Sequence, residues 1–144
     1  MCKEGTLITW EHFKEIYNEI SQKILIKHSS LSELNISLIK TIMDYLKVNT
    51  KLTLSSDIRV EGKKDIKMFN ISQKLKVEKI LINKLSKTYL DKNIFKKANI
   101  EVAVQNFDEK IYNQYNKDII LDWLPKLSII DILFNCGKNS KFLL

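Results

Sequence analysis

Apolar residues recur at steps of three and four near the start of the chain, which is the period of a helix with one buried face. Over residues 10–27 this pattern predicts a first helix, with lysines and glutamates on its other face. A second helix should begin at Ser30, because Ser30 and Glu33 have the spacing of a capping box. It should end near Val48 and Asn49, since asparagine tolerates the left-handed conformation that closes many helices.

The period then changes to that of strands. Residues 51–55 alternate polar and apolar side chains, residues 79–82 form a short apolar run, and residues 100–104 alternate again. Helical patterns over residues 65–76 and 89–98 separate these three predicted strands. Because neighbouring parallel strands need a crossover connection, which a helix supplies, the order predicts an α/β fold with a small, mostly parallel sheet.

A last helix is predicted close to the end of the chain. The chain is polar and irregular beyond Phe107, and an apolar segment then begins after Ser128. Ser128 has the position of an N-cap, Asp131 that of its capping-box partner, and Gly137 that of the C-terminal stop. Since no linker rich in proline, glycine or serine interrupts residues 1–144, we expect a single α/β domain.

Composition and charge narrow the class of protein. The chain has 144 residues, of which 44% are hydrophobic and 28% charged, as in a folded globular domain. Its formal charge of +7 comes almost wholly from lysine, because Arg59 is the only arginine. Proteins that read nucleic acid favour arginine, so we expect no nucleic-acid partner. Without an apolar run of about 18 residues or a secretory signal, we expect a cytoplasmic protein that does not insert into a membrane.

Metal and nucleotide motifs are missing from the sequence. Cys2 and Cys136 lie at opposite ends of the chain, and His12 and His28 have no carboxylate at the spacing of a metalloprotease. The three glycines do not form a phosphate-binding loop. The sequence therefore predicts no metal site and leaves any cofactor unknown.

Ligands of open parallel sheets usually bind beyond the carboxyl ends of the strands. The polar residues that follow the three predicted strands could therefore contact sugar hydroxyls or an amine, and they could equally form polar turns that satisfy their own backbone. These residues are Ser55, Ser56, Asp57, Asn83, Ser86, Gln105 and Asn106.

Two further residues lie near the start of a predicted helix. Asp91 could orient a substrate or act as a base, and Tyr89 could assist it. Alternatively, Asp91 complements the helix dipole while Tyr89 fills the core.

The last helix carries a second candidate group. Asp131 and Asn135 are four residues apart and so share one face, where they could bind substrate or simply cap and end the helix. Three aromatic residues precede this helix, namely Tyr112, Tyr115 and Trp123. They could form a rim on which a sugar ring stacks, or they could cover the core.

Several segments, in order along the chain, resemble the WbqC-like family, and the last of them is the most specific. They are residues 31–39, the Ser55-Ser56 pair, residues 88–91 before Phe95, and residues 127–137. The resemblance covers nearly all of this chain, and only the carboxyl-terminal part of the family's usual length. It implies a bacterial protein of surface polysaccharide (O-antigen) biosynthesis, with amino-acyl (glycyl) transfer to an amino sugar as the suggested reaction.

Two features of the family have no counterpart here. The family's amino-terminal Gln-Pro-x-Tyr-Phe-Pro motif is absent, and residues 83–87 replace a loop that the family makes glycine-rich. Two hypotheses therefore stand side by side. The first is a transferase acting on a nucleotide-linked amino sugar. The second is a non-catalytic remnant or partner-binding domain that associates with itself or with a separate chain supplying the missing part.

The transferase hypothesis places the predicted residues in two roles. Asp91 and Tyr89 would be catalytic. The residues predicted to bind substrate are Ser55, Ser56, Asp57, Asp131 and Asn135.

Overall fold

The computed structural model describes residues 10–88, 90–116 and 119–143, excepting the side chains of residues 10–12, 87 and 116. These residues form two compact units. The first unit contains the described residues up to Thr50 and those from Glu109 onwards, and the second contains Lys51–Asp108. The α/β class is confirmed, because helices accompany a small parallel sheet.

Helices predominate over strands in the described residues, and none of these helices is long and apolar enough to cross a bilayer. The helices are α1 (Trp10–Leu25), α2 (Leu31–Leu46), α3 (Ser55–Ile58), α4 (Lys64–Lys74), α5 (Lys92–Lys97) and α6 (Ile129–Cys136). The strands are β1 (Lys79–Ile82), β2 (Glu101–Val104), β3 (Gln114–Asn116) and β4 (Ile119–Leu121). Short 3-10 helices span Ser86–Thr88 and Gly137–Phe142.

The core of the first unit lies where α1, α2 and α6 pack together. Ile16 and Ile20, one helical turn apart on α1, are buried against Tyr45 and Leu46 of α2 and against Leu133 of α6. Burial of these side chains supplies the main driving force for joining the three helices. The two N-terminal helices and the C-terminal helix predicted from apolar spacing are therefore confirmed.

The start of α2 follows the predicted capping signal. The Ser30 hydroxyl oxygen accepts a hydrogen bond from the Glu33 amide at 3.1 Å. The Glu33 carboxylate reaches back to Ser29, accepting from its amide at 2.7 Å and from its hydroxyl at 2.6 Å. These bonds lower the pKa of the exposed Glu33 side chain. They also satisfy amide groups that the helix leaves without partners.

The end of α2 lies earlier than the sequence predicted. The helix stops at Leu46, and Lys47 takes the left-handed conformation with φ 59°. That turn lets the Val48 amide donate to the Met43 carbonyl at 2.9 Å, so the last carbonyls are satisfied before Asn49 is reached.

The second unit is built around a parallel strand pair. β1 and β2 pair in register from Lys79 opposite Glu101 to Ile82 opposite Val104, and α5 lies in the connection between them. Phe95 of α5 is fully buried among Ile82, Leu90 and Ile100. The predicted order of strand, helix and parallel strand is confirmed for this part of the chain.

The strand predicted at residues 51–55 is wrong. Residues 51–54 have no strand structure, and Ser55 begins the one-turn helix α3. Leu52 and Leu54 remain 43% and 40% exposed. An alternating pattern yields a strand only where another strand supplies hydrogen bonds and a core covers one face. Residues 51–54 have neither a strand partner nor a buried face within the described chain.

The two predicted helices of the second unit form with different limits. The helix expected over residues 65–76 is α4, which ends two residues earlier. The helix expected over residues 89–98 begins only at Lys92, because the Asp91 side chain accepts from the Asn93 amide at 2.9 Å and so caps it.

The segment beyond Phe107, predicted to be irregular, contains a hairpin. β3 and β4 pair antiparallel, with Gln114 opposite Leu121 and Asn116 opposite Ile119. Both strands have only three residues. Strands this short carry too little periodicity to be recognised from sequence.

We expect Phe95→Ala to destabilise the protein by about 3–5 kcal/mol, because it removes a fully buried aromatic side chain and leaves a cavity. Urea unfolding measures this loss. Phe107→Ala is the control, since Phe107 is 45% exposed; its cost should stay within about 0.5 kcal/mol. Equal losses for the two variants would contradict the placement of Phe95 in the core.

Candidate functional site

Two predicted substrate-binding residues, Asp131 and Asn135, lie together on α6. The Asn135 side-chain amide donates to the Asp131 carbonyl at 2.9 Å, one turn earlier. Its side-chain oxygen accepts from the Tyr115 amide at 3.0 Å. Asn135 therefore joins α6 to strand β3, and the prediction that Asp131 and Asn135 share a helix face is confirmed.

The α6 helix begins and ends where the sequence indicated, with one correction. The Ser128 hydroxyl accepts from the Ile130 amide at 3.3 Å, and Gly137 has a φ of 54° at the C-cap. The carboxylate of Asp131 does not complete a capping box, because it turns to side chains from β3 and the preceding residues.

Tyr112 and Gln114 hold the Asp131 carboxylate. The Tyr112 hydroxyl donates to Asp131 Oδ2 at 2.7 Å, and Gln114 Nε2 lies 3.5 Å from the same oxygen. No other hydrogen bond to this carboxylate exists in the described part of the chain, so Oδ1 is without a partner there. We call Tyr112, Gln114, Asp131 and Asn135 the Asp131 cluster.

Gln114 is the most enclosed member of the Asp131 cluster, with 3% of its surface exposed. Its side-chain oxygen accepts from the Leu124 amide at 2.8 Å, and its Nε2 donates to the Leu124 carbonyl at 2.9 Å. A buried amide with both ends bonded is strongly fixed in orientation. Gln114 thus holds the chain after β4 beside the Asp131 carboxylate.

Tyr112 is held neutral by its surroundings. Burial raises the pKa of its hydroxyl to about 12, and the hydrogen bond to Asp131 acts in the same direction. Its ring packs against the small cluster formed by Ile132, Cys136 and Leu143. At neutral pH Tyr112 is therefore a hydrogen-bond donor to Asp131, and it is not a base.

Two other aromatic residues of the predicted rim lie in the same unit. Tyr115 is half-buried, and its hydroxyl accepts from Asn113 Nδ2 at 3.2 Å. Trp123 is half-buried too, and its Nε1 atom is buried without a hydrogen-bond partner among the described residues. An indole N–H so enclosed usually has a partner.

The predicted residues of the second unit are spread over several elements. Ser55, Ser56 and Asp57 form α3 and are exposed, with Ser56 Oγ 3.4 Å from Asp57 Oδ1. They do not follow a strand. Asp91 is exposed and caps α5, whereas Tyr89 lies outside the described residues.

Four further residues do follow β1 and β2 as predicted. Asn83 Oδ1 accepts from the Ser86 amide at 2.7 Å, which forms a polar turn after β1. Gln105 and Asn106 come directly after β2 and are exposed. Among the described residues, the side chains of Asn83, Gln105 and Asn106 have no hydrogen bond to Asp91 or to α3. In the same part of the chain, no group of three or more His, Cys, Asp or Glu side chains could hold a metal ion.

Comparison with known proteins identifies the family. The model of the WbqC-like protein family matches residues 8–142. The chain belongs to the WbqC-like family. A relative, the uncharacterized protein Rv1507c of Mycobacterium tuberculosis, is 30% identical over 130 residues. The match covers 90% of this chain and 55% of the relative, so this WbqC-like chain spans about half the length of that relative. No solved structure matches it.

Sequence reasoning named Asp131 and missed Gln114, whose side chain does most to fix the chain around it. A lone glutamine among asparagines and tyrosines carries no periodic signal. Tyr112 was recognised only as an aromatic residue of a possible rim. Its bond to Asp131 spans 19 residues, beyond the reach of any local pattern.

The raised pKa of Tyr112 predicts a specific pH dependence. Because the folded state favours the neutral phenol, Tyr112 contributes stability below pH 10 that is lost as the pH rises from about 10 to about 12. The melting temperature of Tyr112→Phe should therefore approach that of the unchanged protein across this interval. Comparing the two proteins cancels the titration of lysines.

The control for this titration is Tyr17→Phe, which removes a phenol that is 49% exposed in the same unit. The melting temperatures of Tyr112→Phe and the unchanged protein could instead differ by a constant amount from pH 9 to pH 12, with no more change than Tyr17→Phe shows. That result would contradict the assignment.

Proposed function

We propose that this WbqC-like chain acts in bacterial surface polysaccharide biosynthesis and binds the amino sugar of a nucleotide-linked donor or acceptor at the Asp131 cluster. Family membership supports the biological setting. Support for the site comes from one observation: the Asp131 carboxylate has one oxygen fixed by Tyr112 and Gln114, and its other oxygen has no partner among the described residues.

A carboxylate with one oxygen fixed and the other unbonded can bind the amino group of a sugar. The free oxygen Oδ1 can accept a hydrogen bond from a sugar ammonium group, and bonds between charged partners are stronger than neutral ones. Tyr112 and Gln114 keep the carboxylate from turning, so little conformational entropy is lost on binding. The neutral Tyr112 hydroxyl does not compete for the same cation.

The aromatic residues near the Asp131 cluster fit a pyranose ring. Tyr115 lies next to β3 residue Gln114, and Trp123 precedes Leu124, which Gln114 binds through its backbone. Amphipathic rings of this kind offer apolar faces to the carbon atoms of a sugar.

Amino-acyl transfer is the reaction that the family resemblance suggests. In it, the sugar ammonium group first loses a proton to solvent, the neutral amine attacks an activated carbonyl, the leaving group departs, and a base takes the second proton released from the amine. In the second unit, Asp91 is a candidate base for such a transfer and Tyr89 its companion, with Ser55, Ser56 and Asp57 as candidate substrate contacts of that unit; these roles are proposed independently of the Asp131 cluster. Asp91 is exposed and accepts the Asn93 amide, so this role needs its own test.

Calorimetric titration with UDP-glucosamine tests the amino-sugar site directly. Asp131→Asn should weaken binding by about tenfold or more, because a charge-assisted hydrogen bond of about 1.5–3 kcal/mol is lost. UDP-N-acetylglucosamine, which lacks the free amine, should discriminate little between the two proteins. Asp122→Asn is the matched control, since Asp122 is exposed in the same unit. Equal affinity of the Asp131→Asn variant for UDP-glucosamine would overturn the proposed site.

Asp91→Ser separates capping from catalysis. Serine caps a helix about as well as aspartate, so the melting temperature should change little, whereas a carboxylate base would be lost. We expect amino-acyl transfer to an amino sugar, followed by mass spectrometry of the product, to fall by about a hundredfold or more. Unchanged transfer with an unchanged melting temperature would leave Asp91 as a helix cap alone.

A further inference from the structure

The parallel strand pair of the second unit has a backbone edge without partners among the described residues. The Glu101 amide donates to the Glu78 carbonyl at 2.8 Å, and the Gln105 amide donates to the Ile82 carbonyl at 2.7 Å. In a parallel ladder these bonds fix which residues face the neighbouring strand. On β1, therefore, the backbone of Ile80 and Ile82 faces β2.

The backbone groups of Lys79 and Leu81 point the other way. No main-chain hydrogen bond from the described residues reaches their outward N–H and C=O groups. The Leu81 side chain is 64% exposed, because it lies on the opposite sheet face from the buried Ile82. An open strand with an exposed leucine can bind another strand.

The outer edge of β2 is less open. Val102 and Val104 turn their backbone outward on that side, and both side chains are half-buried against the core around Phe95. β1 is therefore the edge that combines unpaired backbone groups with an uncovered apolar side chain.

Charge indicates what kind of strand would fit. The unit Lys51–Asp108 contains thirteen Lys or Arg against seven Asp or Glu, a net charge of +6, which leaves +1 for the rest of the chain. Lys76, three residues before β1, and Lys84, two residues after it, are both exposed. Such a unit repels a second copy of itself and attracts an acidic segment.

We propose that the outer edge of β1 is a docking site for an extended acidic segment of a partner chain, which adds to the sheet as a strand beside Lys79–Ile82. Its backbone bonds the outward groups of Lys79 and Leu81. Its apolar side chains cover Leu81, and its carboxylates lie near Lys76 and Lys84. This docking site belongs to the second unit and does not depend on amino-sugar binding by the Asp131 cluster.

A short fluorescent peptide in which valine alternates with glutamate tests the docking site, with a valine–lysine peptide as its counterpart. Fluorescence anisotropy should show binding of the acidic peptide at least about tenfold tighter than binding of the basic one. Hydrogen exchange followed by NMR should show new protection of the Lys79 and Leu81 amides. The Ile80 and Ile82 amides, which face β2, should change little.

Two double charge-reversal variants test whether the lysines next to β1 are the ones that bind the acidic peptide. Lys76→Glu with Lys84→Glu should weaken binding of the acidic peptide by about tenfold. Lys96→Glu with Lys97→Glu on α5 changes the net charge equally away from β1 and should weaken it much less. Leu81→Pro removes an outward N–H without removing a bond to β2, and it should abolish binding.

Three results would overturn the docking site. The two peptides could bind equally, the new protection could fall on Val102 and Val104, or the Leu81 amide could become protected without peptide as the protein concentration rises. The last of these would assign the edge to a second copy of the chain.

Discussion

The hydrogen bond from the Tyr112 hydroxyl to the Asp131 carboxylate fixes the position of the candidate site. It joins the residues before β3 to α6, and Gln114 and Asn135 add bonds on either side of it. Gln114 also binds both backbone groups of Leu124. The β3–β4 hairpin, the residues after it and α6 are therefore linked by hydrogen bonds. The Asp131 carboxylate is therefore oriented before any ligand arrives, which lowers the entropic cost of binding.

The features that the sequence predicted well are those set by residues close together along the chain. The cap at Ser128, the stop at Gly137 and the shared face of Asp131 and Asn135 all follow from helix geometry within about two turns. The function of the Asp131 side chain could not be predicted in the same way. Local rules assigned it to a capping box, whereas the structure pairs it with Tyr112, 19 residues earlier.

The strands, too, could be predicted only where their formation agrees with contacts to residues distant along the chain. The apolar run of β1 and the alternation of β2 were recognised because each strand has a partner and a core beneath it. Residues 51–54 have a similar pattern and no such partner among the described residues, so Ser55, Ser56 and Asp57 begin a helix where a strand end was expected. The distribution of charge also depends on the fold. The sequence gives only the total of +7, and the limits of the second unit show that +6 of it belongs to that unit.

A crystal structure of the protein with UDP-glucosamine tests the central claim most directly. We predict the sugar amine within about 3 Å of Asp131 Oδ1, with the Tyr112 hydroxyl still bonded to Oδ2. The sugar ring should lie against Tyr115 or Trp123. A complex in which the sugar lies elsewhere and Asp131 contacts only Tyr112 and Gln114 would contradict the account and make the Asp131 cluster a purely structural link between the hairpin and α6.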